Sequence, residues 1–127
     1  MLQSTRYKII IYCLISAILL ALLGFWIYFA KAQARDYQRL ADLRVWQNIL
    51  SDYYSQNGTY KIPNCDNRES LSVCLGDNIN DPKNFGSYQY SVASLSDTDY
   101  EINFSLEAGI GGLRPGQYIW TKNGVKK

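Results

Sequence analysis

Histidine does not occur in the 127 residues. Its absence excludes Ser-His and Cys-His catalysis, histidine metal sites and histidine pH switching. Cysteine appears three times, with no paired-cysteine zinc spacing, and no nucleotide-binding glycine loop is present. Charge of neither sign dominates: 13 Lys and Arg face 11 Asp and Glu, for a net charge of +2. Nothing in that balance calls for nucleic acid or an acidic partner. No set of side chains suits a catalytic centre, so the chain is read as a non-enzyme with no cofactor and no small-molecule substrate.

What the sequence does have is a long apolar run. Ile9 to Ala30 carries no charge, and 13 of its 22 residues are Leu, Ile or Phe. Each contributes roughly −0.3 to −0.6 kcal/mol near a bilayer centre, so insertion is favoured by several kcal/mol. At 1.5 Å per residue the run reaches about 33 Å, enough to cross the hydrocarbon. Ile9, Leu14, Ile18, Leu22, Phe25 and Phe29 represent this membrane anchor, and lipid is its partner. Trp26 and Tyr28 near one end, with Tyr7 and Tyr12 near the other, suit the interface. Cys13 reads as a small apolar residue of the span. A cleaved signal is the rival reading, with Arg6 and Lys8 as its basic start and Ala30-Lys31-Ala32 or Ala32-Gln33-Ala34 as its cleavage site. The run is longer than the usual signal core of roughly 7–15 residues, which favours an anchor.

Residues 1–30 are therefore expected to be a tip and transmembrane helix, and residues 31–127 one folded domain. Two signals set orientation. Lys31, Arg35, Arg39 and Arg44 outnumber Arg6 and Lys8, which by the Lys/Arg rule would place the domain in the cytoplasm. Cys65 and Cys74 point the other way. A bridge between them closes a loop of about ten residues and contributes roughly 2.5–3 kcal/mol, and such bridges persist outside the cytoplasm. Two unrelated buried thiols are the plain alternative. The expectation is a cytoplasmic N-terminus and an extracytoplasmic domain.

Between Lys31 and Gln56 there is neither proline nor glycine. Leu43, Trp46, Leu50 and Tyr53 step by three and four, and Leu40, Val45 and Ile49 widen the stripe. The spacing predicts one helix from about Tyr7 to Gln56 whose second half packs on the domain core. Arg35 with Asp36, and Arg39 with Asp42, read as solvated faces with local pairing. Asn57-Gly58 ends the helix. Lys61 to Ser87 is expected to be irregular and fastened by the cysteine bridge. Tyr88, Tyr90 and Val92 alternate with polar or small residues. Tyr100, Ile102, Phe104 and Leu106 do so again, and Gln117 to Thr121 makes a third strand. Ser96 to Asp99 and the glycine-rich stretch Ala108–Gly116 are turns. The fold class expected is α+β: a long N-terminal helix packed on a small antiparallel sheet.

Asp97 and Asp99 are candidates for calcium, against the simpler reading that aspartates build turns; Asp77 and Asp81 invite the same choice. The tyrosines and Trp120 read as core or cross-strand pairs before they read as a stacking platform for a ligand. Lys122, Lys126 and Lys127 form a basic tail, read as solvated before it is read as a DNA contact.

The run Lys31-Ala32-Gln33-Ala34-Arg35-Asp36, followed by Ala41-Asp42-Leu43, resembles bacterial type IV pilin-like proteins. The helix end Tyr53-Tyr54-Ser55-Gln56-Asn57-Gly58-Thr59-Tyr60 is similar to that of the major-pseudopilin group of type II secretion. So are Asp81-Pro82 and Tyr88-Gln89-Tyr90, which resemble an aspartate-proline turn leading into a strand. Phe104-Ser105-Leu106-Glu107 with Gly111-Gly112 resembles the strand and glycine turn of pilin-like proteins. The resemblance implies an exported domain and a structural role, with apolar helices packed side by side in a filament core or in contact with secretion machinery. A stand-alone, membrane-anchored ligand-binding module is the alternative. The chain departs from the family at its start. It has no glycine before a Phe-Thr-Leu-Ile-Glu-like stretch, and Lys8 stands about where the family has glutamate.

Overall fold

A computed structural model describes residues 2–65 and 70–127, with side chains from Arg6 onward. Positions 66–69 of the expected irregular stretch, and Met1, lie outside the described residues. The chain divides into two compact units, one ending at Ala32 and the other covering Gln33–Lys127. One helix, α1 (Leu2–Asn57), contributes to both.

In the first unit every described side chain from Arg6 to Lys31 is exposed. This includes Ile9, Leu14, Ile18, Leu22, Phe25 and Phe29. The helix is long and apolar enough to cross a membrane, and the apolar part has no cover within the protein.

The second unit begins on the amphipathic half of α1. Its helix ends where the sequence turns to Asn57-Gly58. The Asn57 amide donates to the Tyr53 carbonyl at 2.9 Å. Gly58 adopts a left-handed φ of +71° and donates its N–H to the Tyr54 carbonyl at 2.7 Å. A residue with a Cβ would resist that conformation. The chain then passes through the Cys65–Cys74 disulfide. It forms a five-residue helix, α2 (Leu71–Leu75), that the sequence pattern did not announce.

Four strands follow: β1 (Ser91–Leu95), β2 (Tyr100–Leu106), β3 (Gly116–Thr121) and β4 (Gly124–Lys126). They form an antiparallel meander in the order β1-β2-β3-β4. Tyr88 lies outside β1, in a tight turn that bridges it to Phe85. A register shift between Val92 and Ser94 interrupts the β1–β2 ladder. β4 is a three-residue addition closed by the Lys122-Asn123 turn.

The period-2 face of β2 does what alternation requires: Tyr100, Ile102, Phe104 and Leu106 are all buried. They share one core with Val92, Tyr90, Tyr118 and Leu71, and with Leu43, Trp46 and Leu50 from α1. Tyr53 departs from the expected stripe. It is half-buried outside this core, and its hydroxyl donates to the Lys61 carbonyl at 3.2 Å. Val45 is 44% exposed, because the stripe that meets a twisted four-stranded sheet is narrower than the apolar sequence positions suggest.

Candidate functional site: a buried ionic clasp

Arg35-Asp36 and Arg39-Asp42 do not form the solvated face that local pairing suggests. Asp36 and Arg39 are fully buried. Arg39 lies three residues after Asp36, one helical turn, so both point into the domain. The Arg39 guanidinium donates from Nη1 to Asp36 Oδ1 at 2.7 Å. It grips Asp81 bidentately, from Nε at 2.6 Å and from Nη2 at 2.9 Å. It also reaches Glu107 at 2.8 Å. One cation thus joins α1 to the 81–87 turn and to the loop after β2. The planar fork of arginine suits this, whereas a lysine has only a point charge to offer. The guanidinium also lies over the Tyr88 ring, 4.8 Å from its centroid.

Each carboxylate has further partners. Asp36 accepts three backbone N–H groups: Glu107 at 2.9 Å, Ala108 at 2.8 Å and Gly109 at 2.9 Å. Asp81 accepts the N–H of Lys83 at 2.8 Å, so it organises the Asp81-Pro82 turn as well as holding Arg39. Glu107 receives both donors of the Arg35 fork at 2.8 and 2.7 Å, and the Lys83 ammonium at 2.7 Å. Three cations and three carboxylates therefore balance in one cluster.

Titration behaviour follows this wiring. Arg35 above all holds the Glu107 carboxyl down at about 2, against the cost of burial, with Lys83 and Arg39 helping. Burial opposes charge on Arg39, but its hydrogen bonds to Asp81, Asp36 and Glu107 outweigh that and push its pKa further up. At the edge of the cluster burial raises the Asp42 pKa, and the Tyr90 hydroxyl, donating to it at 2.8 Å, works the other way.

The glycine-rich stretch serves the clasp. Ile110 and Leu113 exchange backbone hydrogen bonds at 3.0 and 2.9 Å across Gly111-Gly112. Both glycines have positive φ, +58° and +85°, as a two-residue hairpin turn requires. Gly109 presents its N–H to Asp36 with φ +86°, and a Cβ there would lie 2.3 Å from the Leu113 carbonyl oxygen.

The other candidates lie apart from this cluster. Asp97 accepts from Thr59 at 3.0 Å and from the Lys61 ammonium at 2.9 Å. Asp99 accepts the N–H of Tyr100 at 2.8 Å. Asp97 thus ties the turn to the segment after α1, and Asp99 serves the turn itself. Among the described residues no group of three or more His, Cys, Asp or Glu is placed to hold a metal ion. Trp120 packs partly buried against the core, and Lys126 pairs with Glu101. The outer face of the sheet bears an open groove of about 570 Å³, lined by Gln89, Ser91, Asn103, Gln117, Ile119 and Lys127 among others.

In the cluster of Asp36, Arg39, Asp81 and Glu107 every charge faces an opposite charge or a backbone donor. Chemically it is a fastening between a helix and two loops. No family model, curated protein or solved structure matches the chain.

Proposed function

We propose that the protein is a membrane-anchored, pilin-like structural subunit or assembly factor of a type IV filament or type II secretion system. The observation that carries this reading is the two-part use of α1. Its uncharged run Ile9–Ala30 is exposed on every side, and its later residues Leu43, Trp46 and Leu50 are the buried spine of an α+β domain. A helix apolar all round needs lipid or other apolar helices as its surroundings. The Cys65–Cys74 disulfide supports an exported domain, and with it a cytoplasmic N-terminus.

The role is structural rather than enzymatic. The partners proposed are lipid and other pilin-like helices or secretion machinery. Lys8 bears on how the subunit would pack: a buried carboxylate of the family kind can pair with a neighbour's terminal amine, and a lysine cannot.

Shearing of surface filaments from cells that express the full chain tests the proposal. Co-purification of the protein with the sheared filaments is the expected result. Full retention in the membrane, beside filaments that lack it, would refute filament membership. It would favour the stand-alone ligand-binding module, for which the largely hydroxyl- and amide-lined groove on the sheet, with Lys127 at it, is the candidate surface. Thiol labelling of intact cells with and without reductant tests the orientation.

A further inference from the structure

Two loops are tied to α1 by the clasp: residues 81–89, through Asp81, and residues 107–116, through Glu107 and the backbone of 107–109. Their helix partners are Arg35, Asp36 and Arg39. Arg35 follows Ala30 by five residues, so even a fully extended chain holds it within about 18 Å of the end of the apolar run.

What these loops show to solvent is unusual. Phe85 is 61% exposed at the tip of a tight turn, held between Asn84 and Gly86, both at positive φ. It lies outside the hydrophobic core. The ring packs edge-on to Tyr88, and the Lys83 ammonium stands 5.8 Å from its centroid. Lys83 in turn meets Glu107 at 2.7 Å, and Glu107 meets Arg35. The Phe85 turn is therefore connected to the start of the domain helix by direct contacts. Among the described residues of the two loops the only carboxylates are Asp81 and Glu107, whose side chains are 1% and 5% exposed. The outward charge is positive, from Arg114, while the Lys83 ammonium behind Phe85 is paired with Glu107.

We infer that these two loops form a second membrane contact, with Phe85 seated in the headgroup layer of the bilayer that holds Ile9–Ala30. This rests on the membrane-anchor reading proposed above. An exposed aromatic ring backed by basic groups and free of outward carboxylates suits a layer of lipid phosphates over hydrocarbon. Anionic lipid adds attraction for each nearby Lys or Arg. A rigid mounting favours the contact, because the clasp has already fixed the loop backbone and little ordering remains to oppose docking.

The test uses the full chain reconstituted in vesicles of phosphatidylcholine and phosphatidylglycerol. In a Cys13→Ser background, an environment-sensitive fluorophore is attached after Phe85→Cys, after Trp26→Cys in the anchor, or after Gln56→Cys at the far end of the domain helix. Lipids carrying nitroxides in the headgroup or shallow acyl region act as quenchers. The expected result is quenching and a blue shift at positions 26 and 85, with neither at position 56. Quenching at 26 without quenching at 85 would overturn the inference and leave the anchor intact. Quenching at none of the three would remove the anchor reading, and the inference with it. Equal quenching at 85 and 56 would mean unspecific adsorption and would overturn it too. So would a blue shift at 85 that needs high protein density and no lipid quencher, since the occupant would then be a second copy of the chain.

Discussion

Arg39→Met is the substitution that most directly probes the clasp. The change keeps an unbranched, similar-length side chain and removes the one cation that, among the described residues, touches Asp36, Asp81 and Glu107 together. The three carboxylates do not suffer equally. Asp36 retains three backbone donors, and Glu107 retains Arg35 and Lys83. Asp81 retains the N–H groups of Lys83 and Asn84 and loses its side-chain partner while 1% exposed. Removing one member of a buried pair costs about 3–5 kcal/mol, largely for the uncompensated charge left behind. Against a typical domain stability of roughly 5–15 kcal/mol, this is a large share. Urea unfolding of the full chain in detergent, followed through the buried Trp46, gives the measurement. Adding Asp81→Asn to Arg39→Met should restore part of the loss, because the stranded charge is gone; the two single losses should not add. Arg39→Lys provides a milder member of the series if the methionine variant fails to fold. A loss below about 1 kcal/mol for Arg39→Met would refute the reasoning, since that is the scale of an exposed pair.

Other expectations concern the same domain. Glu107 has a folded pKa of about 2 against an ordinary 4.5. Its contribution is fully present above about pH 4.5 and is lost as pH falls toward 2, and Glu107→Gln should flatten the stability–pH curve in that window. Asp42, with its raised pKa, has the opposite sign: the folded state holds its proton more tightly, so its contribution declines as pH rises through the folded value. Reducing the Cys65–Cys74 bridge should cost about 2.5–3 kcal/mol, read as a lower unfolding midpoint with dithiothreitol than without. Gly109→Ala should cost more than the roughly 1–2 kcal/mol of a left-handed alanine, because its Cβ also meets the Leu113 carbonyl oxygen. Gly111→Ala, with open space around the new methyl, should cost only the backbone part; equal losses in the two variants would contradict this.

The parts of the fold that show in the sequence are those set by periodicity. Leu43, Trp46 and Leu50 repeat at helical spacing, and Tyr100, Ile102, Phe104 and Leu106 repeat at strand spacing. Each pattern survives because one face must be dry. The clasp does not show, for a physical reason. An Asp and an Arg three residues apart on a helix look the same whether they face water or a core. What decides is the partner, and the partners of Asp36 and Arg39 lie between 42 and 73 residues away. Two local signals point toward them: Asp81-Pro82 marks a turn that an aspartate organises, and the Gly109–Gly112 stretch marks backbone forced close to something. Neither says that a buried arginine joins the two. β4 and α2 escape notice because three and five residues are too few to establish a period.

The clasp also bears on how the sheet finds its place along α1. Leu40, Leu43, Trp46, Ile49 and Leu50 form an apolar stripe that repeats by turns, so burial alone distinguishes poorly between one seating of the sheet and another shifted by a helical turn. The charges distinguish sharply. In the observed seating Asp36 meets the N–H groups of Glu107, Ala108 and Gly109, and Arg39 meets Asp81. A shift of one turn moves both side chains about 5.4 Å along the helix, well beyond hydrogen-bond reach. It would leave buried charge without partners. Our hypothesis is that the clasp selects one register rather than adding net stability, since buried ion pairs are weak evidence for stability and their best-attested use is in setting register. Replacing Asp36, Arg39, Asp81 and Glu107 together by apolar residues of similar volume separates the two roles. Selection of register predicts near-normal urea stability with broadened or doubled amide resonances from β2 and β3. A single sharp set of resonances at native positions, together with unchanged stability, would show that the apolar stripe fixes the register without the charges.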